Sequence, residues 1–171
     1  MLQKIFGRVV RMIKFDQTVY KEIEEDQTAN TEAAIIVVVA SLLSAIGAGI
    51  HVRSFGGFIF DLLVGVLLFW LLVSYITMFI GTRLYKGETN FWEMARCIGY
   101  ASAIRALGIL GAIPCLGLIA TIVVMILFLI VAFFAIREAL DLSTEKTLVS
   151  VVLGWAISLV VWAVLATIFP L

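Results

Sequence analysis

Leu116-Gly117-Leu118-Ile119-Ala120-Thr121-Ile122-Val123-Val124-Met125-Ile126-Leu127-Phe128-Leu129-Ile130-Val131-Ala132-Phe133-Phe134-Ala135-Ile136 holds no charged side chain. A helix rising about 1.5 Å per residue needs about 20 residues to cross the hydrocarbon core of a bilayer, and this run is long enough. Within lipid every backbone N–H and C=O must be satisfied inside the segment, which leaves helix as the open-chain solution. The dyad alternation of a membrane β-strand is absent. Working outward from this span, four similar runs appear: Ala33–Ile50, Phe58–Ile80, Met94–Ile113 and Thr147–Phe169.

The composition agrees. Hydrophobic residues make up 63% of the 171 residues and charged ones 14%, against about 45–50% and about 25% in soluble domains. A soluble fold of this size could not bury that much apolar surface. The expected fold class is therefore all-α: a polytopic membrane bundle of five transmembrane helices (33–50, 58–80, 94–113, 116–136 and 147–169). Residues 1–32 form a cytoplasmic amphipathic and acidic segment, and residues 33–171 the membrane domain. The first apolar run begins only at Ala33, so no cleaved leader is expected. Twelve basic and twelve acidic residues cancel, and no global charge calls for nucleic acid.

Orientation follows from where the cations fall, since cytoplasmic segments are enriched in Lys and Arg. Lys4, Arg8, Arg11, Lys14 and Lys21 precede the first span. Arg83, Lys86 and Arg96 flank the second loop, and Arg137 and Lys146 the fourth. The opposite side holds only Arg53. The N-terminus is thus expected in the cytoplasm and the C-terminus outside.

Leu2, Ile5, Phe6, Val9 and Ile13 recur at helical spacing, with Lys4, Arg8 and Arg11 on another face and Lys14 at its edge. Such a helix lies flat on an anionic cytoplasmic leaflet, and these four cations are the expected membrane-surface contacts. The alternative is packing on the protein's own cytoplasmic parts. Asp16 is placed to cap a second short helix from Gln17 to about Asp26. Asn90 and Glu93 have the spacing of a capping box at the start of the third span, which would set Phe91 and Trp92 at headgroup level. Ser143 is placed to cap the last helix, and Arg137 and Asp141 to pair one turn apart.

Two ionisable residues fall inside spans. Asp61 lies toward the outer end of the second and Arg105 in the middle to outer half of the third. Opposite signs on adjacent spans make them the expected intramembrane charge pair, orienting helices or lining a pathway. Beyond them the chain offers little chemistry. Cys97 and Cys115 are separated by roughly 27 Å of helix, beyond disulfide reach. With one histidine, His51, neither a metal site nor a catalytic base can be assembled, and no cofactor fingerprint is present. No enzyme, cofactor or metal is expected.

Several segments together resemble the Yip1 family of five-span membrane proteins. They are Val9-Val10-Arg11-Met12-Ile13-Lys14-Phe15-Asp16 with Val19-Tyr20-Lys21-Glu22-Ile23, and Gly87-Glu88-Thr89-Asn90-Phe91 with Gly99-Tyr100-Ala101. Pro114-Cys115-Leu116-Gly117 and Ala135-Ile136-Arg137-Glu138-Ala139-Leu140-Asp141-Leu142-Ser143 complete them. The resemblance spans nearly the whole chain. It implies an integral protein of a prokaryotic plasma membrane, because only about 32 residues precede the first span. Eukaryotic relatives bind Rab-type GTPases through longer N-termini, a property not carried over here. The expected function is a non-enzymatic membrane scaffold or adaptor, or an accessory subunit of a larger membrane complex. Its expected partners are the bilayer with its anionic leaflet, other membrane proteins or a second copy. A small transporter or channel subunit using Asp61 and Arg105 is the alternative.

Overall fold

A computed structural model describes residues 1–49, 59, 62–63, 66–113 and 117–168. All regular structure among the described residues is helical. Two short helices, α1 (Leu2–Ile13) and α2 (Gln17–Glu25), precede the long α3 (Ala29–Gly49). A π-helical turn, Leu67–Leu72, runs into α4 (Val73–Tyr85). Helix α5 (Phe91–Ala101) continues as a 3-10 stretch, Ser102–Ala112. The long helices α6 (Gly117–Leu140) and α7 (Thr144–Ile168) follow.

Among the described residues, three helices are by themselves long and apolar enough to cross a membrane: Ala29–Gly47, Gly117–Leu140 and Thr144–Val161. Each begins or ends beyond the expected apolar run, because the helix carries on through polar residues outside the hydrocarbon. The run at 94–113 is divided between α-helix and 3-10 helix, and part of 58–80 lies outside the described residues. On α6, Leu118, Ile119, Ile122, Val123, Met125 and Ile126 are all exposed. A contiguous apolar surface of this kind needs an apolar solvent.

Local signals set the helix ends. The Asp16 carboxylate accepts the Thr18 N–H at 3.0 Å and starts α2. Asn90 and Glu93 form the expected capping box, with Asn90 Oδ1 accepting from the Glu93 N–H (3.1 Å) and Glu93 Oε2 from the Asn90 N–H (2.9 Å). At the last helix the Ser143 carbonyl accepts the Thr147 N–H at 3.0 Å. Arg137 lies over the Phe134 ring, 5.7 Å from its centroid, where a pair with Asp141 was expected. Asp141 itself takes a left-handed conformation (φ 49°) that ends α6.

Packing follows small residues. The 3-10 stretch packs chiefly on α3, with Gly108 against Gly47 and Ser44. Helices α4 and α7 pair, with Gly154 against Thr77. Small side chains let backbones approach where water does not drive association. The core beneath the N-terminal helices joins Met12, Val19, Tyr20 and Ile23 to Met94, Ile98 and Ile136. The N-terminal segment is therefore packed onto the bundle by apolar burial as well as by charge.

Candidate functional site: the charged cap over the bundle

Helix α1 places Lys4, Arg8 and Arg11 along one stripe, and α2 with the start of α3 faces that stripe. Arg8 is buried, with 5% of its side chain exposed. Its Nε donates to Glu22 (2.9 Å), Nη2 to Asp26 (2.8 Å), and Nη1 to Glu32 (2.9 Å) and to the Tyr100 hydroxyl (3.4 Å). Tyr100, on α5, in turn donates to Glu32. One guanidinium thus ties α1 to α2, α3 and α5.

The neighbouring cations complete the network. Lys4 Nζ donates to Asp26 at 2.7 Å and lies 3.5 Å from Glu32. Arg11 donates from Nε to Asp16 at 2.8 Å and from Nη1 to Glu22 at 2.7 Å. Tyr20 closes the α1–α2 corner by donating to the Met12 carbonyl at 3.1 Å. Charge-assisted bonds to a fixed guanidinium fork are both directional and strong.

The electrostatics reflect this. Burial works against the Arg8 charge, but hydrogen bonds with Tyr100, Asp26 and Glu22 outweigh it and hold its pKa above the ordinary value. The Lys4 and Thr28 hydrogen bonds hold Asp26 well below the usual carboxylate range. Arg11 lowers Glu22. Glu24 goes the other way: burial, then the Asp141 and Glu93 carboxylates, push it up to about 7.

Of the four basic residues expected at the membrane surface, Lys4, Arg8 and Arg11 are thus held by carboxylates of this chain, and Lys14 is exposed. The apolar side of α1 keeps Leu2 and Phe6 exposed, at 75% and 72%. Arg105 sits in the 3-10 stretch, half-buried. Asp61, its expected partner, lies outside the described residues, as do His51 and Cys115. Cys97 is a buried free thiol. Among the described residues no group of three or more His, Cys, Asp or Glu side chains is arranged to hold a metal.

The sequence reading missed the acceptors of the Arg8 network. Glu22, Asp26, Glu32 and Tyr100 lie 14, 18, 24 and 92 residues away from Arg8. The four-residue spacing between Glu22 of α2 and Asp26, the residue that caps its C-terminal end, was the one local signal available.

No curated protein and no solved structure matches the chain. Residues 12–165 match the Yip1 domain family. The matched region takes in α2, the end of α1 and every long apolar helix described above. With membrane-capable helices under a packed N-terminal cap, this chain is an integral membrane protein belonging to the Yip1 domain family.

Proposed function

We propose that the protein is a non-enzymatic membrane scaffold or adaptor, or an accessory subunit of a larger membrane complex. The observation that carries this reading is the Arg8 network, which fixes α1 and α2 to α3 and α5 as a defined surface on one side of the bundle. A fixed surface presents the same side chains to every partner, which lowers the ordering cost of docking.

Five spans fit this arrangement. Helix α5 and its 3-10 extension rise about 38 Å together, against a core of about 30 Å. The distribution of basic residues supports a cytoplasmic cap and an external C-terminus, and the resemblance to prokaryotic family members supports a prokaryotic plasma membrane. Helix α1 rests on the inner leaflet through Leu2 and Phe6, with Lys14 and the outer side of Lys4 toward the headgroups. An apolar groove of about 360 Å³, lined by Ile5 and Val9 of α1 and Ile36 and Val39 of α3, supports that depth.

The test is affinity purification of the full chain in mild detergent. One or more membrane proteins should co-purify in fixed ratio. Reversing the exposed Lys14 and Lys21 to Glu should weaken that recovery. Isolation of the chain alone, with solute flux after reconstitution into liposomes, would reject the adaptor reading.

A small transporter or channel subunit using Asp61 and Arg105 is the second reading. One observation favours it: Arg105 lies in an eleven-residue 3-10 stretch, well beyond the about 3–4 residues in which that geometry usually occurs. Flux that vanishes in Arg105→Gln would establish it.

A further inference from the structure

Two arginines on the cytoplasmic side are buried to the same degree, Arg8 and Arg96, each with 4% of its surface exposed. Their surroundings are opposite. Arg8 has three carboxylates. Arg96 donates from Nη1 to the Asn30 side-chain oxygen at 3.1 Å and from Nη2 to the backbone carbonyl of Glu24. Both acceptors are neutral, and its Nε–H has no acceptor among the described residues. A buried cation with no ion pair to a described residue is expensive.

Arg96 is also a wall of a polar cleft of about 310 Å³ between α2, the start of α3 and the start of α5. Asn30 lines it beside Arg96, and Glu25, Gln27 and Trp92 stand at its exposed edge. The volume is at the lower end of small-ligand sites, which run from about 300 Å³. Two charges of opposite kind are available to a ligand. Arg96 lines the cleft with its Nε–H left without an acceptor among the described residues, a donor for an anionic oxygen. Glu25 makes no ion pair with a described residue, and Glu93 has committed one oxygen to the Asn90 N–H.

We propose that this cleft binds the headgroup of an amine-bearing phospholipid of the cytoplasmic leaflet, its phosphate on Arg96 and its ammonium on Glu25. Guanidinium is suited to phosphate by its planar fork of donors. The carboxylates at the cleft disfavour an anionic lipid that has no amine to balance them. Trp92 is 54% exposed and belongs at headgroup depth, where indoles concentrate; this depth rests on the topology proposed above.

The full-length protein in mild detergent is mixed with phosphatidylethanolamine, phosphatidylglycerol or phosphatidylcholine and analysed by native mass spectrometry. Phosphatidylethanolamine should be retained about tenfold better than the other two. Arg96→Gln should lower that retention by about tenfold or more, the loss of one charge-assisted contact. Because Arg96 is buried, two exposed positions provide a second arm that leaves the core intact. Glu25→Gln should remove the preference for phosphatidylethanolamine over phosphatidylglycerol, and Gln27→Glu should weaken retention of phosphatidylglycerol further. Equal retention of all three lipids, or a preference unchanged in Glu25→Gln, overturns the proposal. Soluble phosphoethanolamine that raises Tm as much as the lipid does would overturn the lipid as the source. A purification that recovers no partner protein leaves these outcomes unchanged, so the two proposals fail separately.

Discussion

At the scale of single residues, Arg8 shows how burial changes what a charge does. An exposed ion pair contributes about 0–1 kcal/mol, whereas removing one member of a buried pair costs about 3–5 kcal/mol because its partner is left unpaired. Arg8→Gln strands Glu32, whose side chain is only 6% exposed. Lys4 at 3.5 Å relieves part of that, so a loss near the lower end, about 3 kcal/mol, is expected. Glu32→Gln made together with Arg8→Gln should recover part of the loss. A double-mutant cycle on unfolding in detergent reads the coupling. Strictly additive effects would show that the two side chains do not support each other. Lys14, exposed on the same helix, should tolerate the same change to Gln with little effect on stability.

At the scale of elements, one substitution should have opposite signs at two glycines. A Cβ on Gly47 would fall inside the Gly108 carbonyl of the 3-10 stretch. Backbone cannot rotate away as a side chain can, so Gly47→Ala should destabilise by about 1–3 kcal/mol through overpacking. Gly7 lies mid-helix in α1 with nothing within 4 Å of the added carbon. There Gly7→Ala removes a helix-weakening residue and should stabilise by about 0.5–1 kcal/mol. Thermal melts of the two variants decide it. Equal, small effects would mean that α3 and the 3-10 stretch do not cross closely at Gly47 and Gly108.

At the scale of the whole molecule, the cap couples stability to pH. Glu24 is raised from 4.5 to about 7 by burial, then by Asp141 and Glu93, with Glu138 adding to them and Lys21 opposing. The folded state therefore binds more protons than the unfolded chain between these values, and stability falls as pH rises through that window. Asp26 and Glu22 are lowered by their basic partners, so their contribution is present above the unfolded carboxylate range and is lost on further acidification. Stability should consequently be greater at pH 5 than at pH 8 and fall again in stronger acid. Glu24→Gln should flatten the limb between pH 5 and pH 8 while leaving the acid limb in place. Melts across pH in both proteins measure this, and an unchanged slope in Glu24→Gln would assign the dependence elsewhere.

The information that the sequence carried by itself was local. An uncharged run from Leu116 to Ile136 requires a helix in lipid whatever surrounds it, because its own backbone must satisfy itself. The caps at Asp16 and Asn90 were legible for the same reason, since donor and acceptor lie within three residues. Partner choice among charges was not local. A stripe of Lys4, Arg8 and Arg11 looks alike in sequence whether it meets anionic lipid or protein. Only the fold, by bringing Glu22, Asp26 and Glu32 against α1, turned those cations inward. Arg96 counted in the sequence as one more cytoplasmic cation, yet the packing of α2 and α3 around it left a buried guanidinium with neutral acceptors. Those contacts join positions tens of residues apart, and their energies depend on burial, which exists only once the chain has folded.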